Sequence, residues 1–123
     1  MYAFDAEKVK VGPIVYELCH AAGLTNGEQQ ADGAVRYGEC EILIDAVLSK
    51  QSAVTTLLHE ILHAILTHGG VQDQDEQTLE LLSYGLYGFI KENPGLVKEI
   101  MDEEESKSIE EAKAHNEATQ HKA

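Results

Sequence analysis

The sequence predicts an α+β domain, with a small antiparallel or mixed β-sheet of two hairpins packed against two helices. Three observations carry that prediction. Apolar residues alternate with polar ones before residue 46, they recur at helical spacing after residue 51, and glycine and proline punctuate the blocks. The chain has 123 residues, 43% of them hydrophobic and 25% charged. That is enough for one modest core and is the composition of a globular protein.

The elements follow in order. Val9, Val11, Ile14, Tyr16 and Leu18 alternate with polar or small neighbours around the turn signal Gly12-Pro13. This predicts a hairpin from Lys8 to Leu18, although Ile14 to Ala22 also fits a short helix. A polar, turn-rich loop is expected from Gly23 to Gly33. Val35 and Tyr37, a break at Gly38, then Cys40, Ile42 and Ile44 predict a second strand pair within Ala34 to Asp45.

From Gln51 the period changes. Val54, Leu57, Leu58, Ile61, Leu62 and Ile65 mark the apolar face of an amphipathic helix, capped by Ser49 or Ser52 and closed by Gly69-Gly70. A second helix is predicted from Asp75 to Glu92. Asp73 with Glu76 resembles a capping box at its start, and Asn93-Pro94-Gly95 stops it. Its expected core face is Leu79, Leu82, Leu86, Phe89 and Ile90, with Gly85 and Gly88 leaving room for close helix approach. Leu96 to Met101 adds a further helical turn or two. The domain is expected to occupy residues 1–97, and residues 98–123 to form an acidic helical or disordered tail.

Charge narrows the possible partners. Twenty-two acidic residues against nine basic ones give a formal charge of −13, which repels nucleic acid and anionic membranes. No stretch is apolar enough to span a bilayer, and the N-terminus has no basic segment followed by an apolar one. Cys19 and Cys40 form no CxxC pair and are read as reduced thiols. The expected setting is cytoplasmic, with no nucleic-acid or membrane partner.

The chemistry is concentrated in His59-Glu60-Ile61-Leu62-His63, an HExxH motif on the first helix. Histidines at i and i+4 share one face, so both imidazoles can reach one cation, and zinc is the expected metal. Glu60 lies about 100° round the helix from His59. It is placed to serve as general base towards a water activated by the metal, then to protonate the leaving amine. An open catalytic site needs a third protein ligand. The extended form HExxHxxGxxH is excluded, because Leu66 and Gly69 stand where Gly and His would be required. The remaining candidates are His68, Asp73, Asp75, Glu76 and Glu80. His68 sits at the end of the metal helix, and Asp73 and Asp75 suit helix capping. Glu76 and Glu80 share a face, and Glu80, a turn inside the helix, is the expected ligand. Tyr84 or Tyr87 could donate a hydrogen bond to a developing oxyanion.

These residues resemble the zincin metallopeptidases of the gluzincin type, with HExxH on one helix and a glutamate from the next. The chain is similar to small metallopeptidases encoded by phages and prophages. The resemblance runs through Lys8 to Tyr16, Gly38 to Asp45, Leu57 to Ala64, Asp75 to Glu80, Gly85-Leu86-Tyr87 and Asn93-Pro94, which together cover roughly residues 8–95. It implies a minimal zincin-like domain that binds zinc through His59, His63 and a glutamate of the second helix, with Glu60 as base and a peptide or protein as substrate. It also implies that the strand before the metal helix, Glu39 to Asp45, holds an extended peptide by strand addition. The chain lacks the second subdomain of larger gluzincins. Two further readings compete with a peptidase. One is a non-catalytic zinc-binding structural or interaction domain, and the other an acidic module that occupies a basic partner.

Overall fold

The computed structural model describes residues 1–102. The chain divides into two compact units, Met1–Phe89 and Ile90–Ala123. The acidic segment 103–123, most of the expected tail, lies outside the described residues.

The architecture is α+β, with a mixed sheet. Strands β1 (Lys8–Val11) and β2 (Ile14–Ala21) form the first hairpin, in register Lys8 with Glu17 through Val11 with Ile14. Gly12 makes the turn at φ 57°, a conformation in which a Cβ would be strained. The expected loop contains a small hairpin, β3 (Thr25–Asn26) and β4 (Gln29–Gln30). Strands β5 (Gly33–Arg36) and β6 (Glu41–Asp45) form the second predicted pair. The order β1-β2-β6-β5 brings β2 and β6 together in parallel, from Glu17 with Glu41 to Ala21 with Asp45. Strand β6 is therefore central, and Ile42, Leu43, Ile44 and Asp45 are all buried. A central strand has no free edge, so β6 cannot add a substrate strand as the resemblance implied. The sheet's edge strands are β1 and β5, and β5 is the edge beside β6.

Helix α1 (Lys50–His68) follows β6 directly. Ser49 caps it, its hydroxyl accepting from the Ser52 amide at 3.3 Å. At the other end Gly70 adopts φ 82°, the Gly70 amide donates to the Thr67 carbonyl and Val71 to the Leu66 carbonyl. This is a Schellman closure, as the paired glycines predicted. The face that α1 buries is rotated from the expected apolar stripe. Its buried residues are Ala53, Thr55, Glu60 and Ala64, whereas Ile65 is exposed. Small alanines let the helix axis approach the sheet. Ala53 and Ala64 join Val11, Tyr16, Leu18, Ile42 and Ile44 in the core, with Leu57 and Ile61 packed at its margin.

Helix α2 (Glu76–Glu92) starts on Asp75, not Asp73. The Thr78 amide and hydroxyl both donate to Asp75 Oδ2, at 3.0 and 2.6 Å. Of its expected core face only Leu79 is buried, together with Ser83. Leu82, Leu86, Phe89 and Ile90 are exposed. A Cβ built on Gly85 or Gly88 meets no atom within 4 Å, so no helix makes the predicted close approach there among the described residues. In the second unit, α3 (Pro94–Met101) begins with proline at a position where a missing N–H costs nothing.

Candidate metal centre

The helical spacing of His59 and His63 sets their side chains one above the other on α1. Their Nε2 atoms lie 3.1 Å apart. The short connection from Gly70 to Asp75 then returns the chain so that Glu76, in the first turn of α2, meets both rings. Glu76 Oε2 is 2.9 Å from His59 Nε2, and Oε1 is 2.8 Å from His63 Nε2. Three donor groups thus converge on one point. For comparison, the edge of a zinc tetrahedron with bonds near 2.0–2.1 Å is about 3.3 Å. Two imidazoles and a carboxylate suit zinc chemically, and the residues present fit the ion.

The expected third ligand was Glu80. The structure brings Glu76 to the imidazoles instead, and Glu80 lies exposed along the wall of the neighbouring cleft. The physical reason lies in the connection: it is so short that the first turn of α2, not the second, passes the histidines. His68 is engaged elsewhere, with Nε2 2.6 Å from the Tyr16 hydroxyl and its ring stacked on the tyrosine. His20 is also occupied, accepting from the Phe4 amide at 3.1 Å.

Glu60 joins His59 and His63 in a group able to hold a metal ion. Unlike Glu76, whose side chain is 71% exposed, Glu60 is only 7% exposed. Strand β5 covers it: a Cβ on Gly33 would stand 3.2 Å from Glu60 Cγ. Burial pushes the Glu60 carboxyl above the usual carboxylate range, His59 and His63 pull it back, and Glu76 adds to the rise. A carboxyl in that setting holds a proton more readily than a solvated one.

Two clefts border the group. One, of about 430 Å³, runs past His59, Glu60 and Glu76 to Glu80 and Tyr84. The other, of about 480 Å³, runs along Gly33, Ala34 and Val35 of β5 to His63. Tyr84 therefore lines the cleft that His59 borders, while Tyr87 lines neither cleft.

Sequence reasoning passed over Gln74. Its Oε1 lies 2.6 Å from His63 Nδ1, and its Nε2 donates to the Val71 carbonyl at 2.6 Å and to Thr67 Oγ1 at 2.9 Å. Thr67 Oγ1 in turn lies 3.0 Å from the Tyr37 hydroxyl. A glutamine in a polar connection carries no spacing signal, so nothing in the sequence marked it.

Compared with protein-family models, curated proteins and solved structures, the chain matches none. No helix among the described residues is long and apolar enough to cross a membrane.

Proposed function

We propose that the protein is a zinc-dependent metallopeptidase, with His59, His63 and Glu76 as ligands and Glu60 as general base. The observation that carries this reading is the convergence of the three ligand groups within 2.8–3.1 Å of one another beside a buried carboxyl. Zinc bound there would supply a Lewis acid that makes water nucleophilic near neutral pH and polarises a carbonyl. Glu60 accepts the proton of the attacking water, keeps it in its desolvated setting, and delivers it to the departing amine. The open edge of β5 offers backbone N–H and C=O groups to an extended peptide, and the cleft beside it leads the chain past His63. Tyr84, which lines the cleft past His59, is the phenol assigned to donate to a developing oxyanion. The resemblance to small phage and prophage gluzincins implied the same roles for His59, His63, Glu60 and a glutamate of the second helix, which we assign to Glu76. The strand it implied for the substrate, Glu39 to Asp45, is central and gives way here to β5.

One observation favours a second reading, a zinc-clasped interaction domain without turnover. Helix α2 buries only Leu79 and Ser83, so an ion shared between Glu76 and α1 would contribute much of what holds that helix.

The test is elemental analysis of the full chain together with cleavage of a mixed peptide library. A catalytic site binds about one zinc per chain, cleaves, and in Glu60→Gln keeps zinc while losing turnover. Zinc without cleavage in the parent supports the clasp. Absence of zinc after loading with excess metal removes both readings.

A further inference from the structure

We infer that Gln74 is a positioning residue that sets the tautomer of His63 and so directs its Nε2 lone pair at the metal position. The inference rests on the zinc reading above. It follows from a chain of hydrogen-bond obligations that starts at the end of α1. The Schellman closure turns the chain at Gly70, and Val71 follows with its amide bound to the Leu66 carbonyl. The Val71 carbonyl then faces the Gln74 side chain at 2.6 Å. A carbonyl can only accept, so the amide nitrogen of Gln74 must face it. That nitrogen has two hydrogens, and the second goes to Thr67 Oγ1. The amide orientation is then fixed without reference to the histidine.

With the nitrogen committed, the atom of Gln74 against His63 Nδ1 is Oε1, at 2.6 Å. This oxygen can only accept, so Nδ1 must carry a proton. In a neutral imidazole the other nitrogen is then the one with the lone pair. It is Nε2 that faces His59 Nε2 and Glu76 Oε1. A ligand histidine held by its second nitrogen loses neither orientation nor proton assignment when the ion leaves, which raises affinity. Because the acceptor is a neutral amide, the imidazole stays less electron-rich than one backed by a carboxylate, and the ion it binds remains the stronger Lewis acid.

Two roles for Gln74 must be separated: anchoring the connection through Val71 and Thr67, and orienting His63. Gln74→Leu removes both. Gln74→Glu loses the amide donors and keeps an oxygen acceptor for Nδ1–H. The experiment measures zinc affinity of the full-length parent and both variants by competition with a chromophoric chelator, with the visible spectrum of the cobalt-loaded forms and circular dichroism as a control for folding. Gln74→Leu is expected to bind zinc about 10–100-fold more weakly, with an altered cobalt spectrum. Gln74→Glu should restore parental affinity or exceed it. Long-range ¹H–¹⁵N NMR of the zinc-loaded parent, which needs no variant, should find the proton on His63 Nδ1. If the parent binds zinc and Gln74→Leu binds equally tightly, or both variants weaken alike, or His63 coordinates through Nδ1, the inference about Gln74 is overturned and the zinc reading stands. A parent that binds no zinc overturns the zinc reading itself.

Discussion

Gly33 of β5 lies flush against Thr56 of α1: a Cβ on the glycine would stand 2.6 Å from the threonine Cγ2. The backbone of Gly33 is unremarkable in φ, so this is a requirement for space alone. Threonine is stiff about its Cα–Cβ bond and cannot swing aside freely.

Gly33→Ala is therefore expected to destabilise the protein by about 1–3 kcal/mol, the range for forcing one methyl into a packed interface. Adding Thr56→Ser removes the Cγ2 and should recover part of the loss. Recovery stays incomplete because the new Cβ also stands 3.1 Å from the Leu43 carbonyl oxygen, which is backbone. Urea denaturation of the two single variants and the double variant measures the coupling. Losses that simply add would show that the contact does not govern this interface.

The choice of third ligand is decided by comparing two glutamates one turn apart. Glu76→Gln removes the carboxylate that reaches both Nε2 atoms and should abolish stoichiometric zinc binding. Glu80→Gln alters only the cleft wall and should leave zinc content at one per chain. Elemental analysis after gel filtration distinguishes them, and the reverse pattern would restore Glu80 as the ligand.

Helix α2 depends on its cap. The Thr78 hydroxyl and amide hold the Asp75 carboxyl below the usual aspartate range. A group whose pKa is lower in the folded state adds stability above its unfolded pKa, about 3.9 for aspartate, and that contribution fades as pH falls through the folded value. Asp75→Ala should thus lower the thermal midpoint of zinc-free protein at pH 7, and the gap to the parent should close on acidification below about pH 4. A gap that is constant with pH would mean that the carboxylate is not what caps the helix.

Cys19 should be a slow thiol. Burial pushes its pKa up, and its hydrogen bond to Glu41 Oε2 at 3.6 Å adds to the rise, with the Glu41 and Glu17 charges acting in the same direction against a weaker pull from Arg36. Only the thiolate alkylates. Iodoacetamide labelling at Cys19, followed by peptide mass spectrometry, should therefore be slow near neutral pH and accelerate only above the ordinary thiol range, about 8.5. Glu41→Gln should shift the onset to lower pH.

Much of this was legible in the sequence, for reasons that differ by element. The first hairpin was readable because Gly12-Pro13 interrupts a clean alternation, and α1 because its cap at Ser49 and closure at Gly69-Gly70 bracket a helical period. The HExxH spacing alone placed two imidazoles on one face. The rest depended on long-range geometry. Periodicity located an apolar stripe on α1 but not the side turned to the sheet, because Ala53 and Ala64 contribute proximity rather than hydrophobicity. Alternation found β5 and β6 but could not tell which was the edge, since that depends on β2 joining β6 in parallel. Between Glu76 and Glu80 spacing is silent, and the length of the connection from α1 decides.

The three groups proposed to hold the ion all fall within one continuous stretch, from His59 to Glu76, whereas the cover over Glu60 comes from β5. That strand packs on α1 and pairs with β6, whose partners in β2 lie 24 positions earlier along the chain. Contacts so distant in sequence form late and slowly, while a helix and the turn after it form early. Capture of metal and shielding of the base are thus separable in time. A nascent or partly unfolded chain could already carry its ion while Glu60 remained hydrated, so such a peptidase would acquire its metal before it acquired its activity.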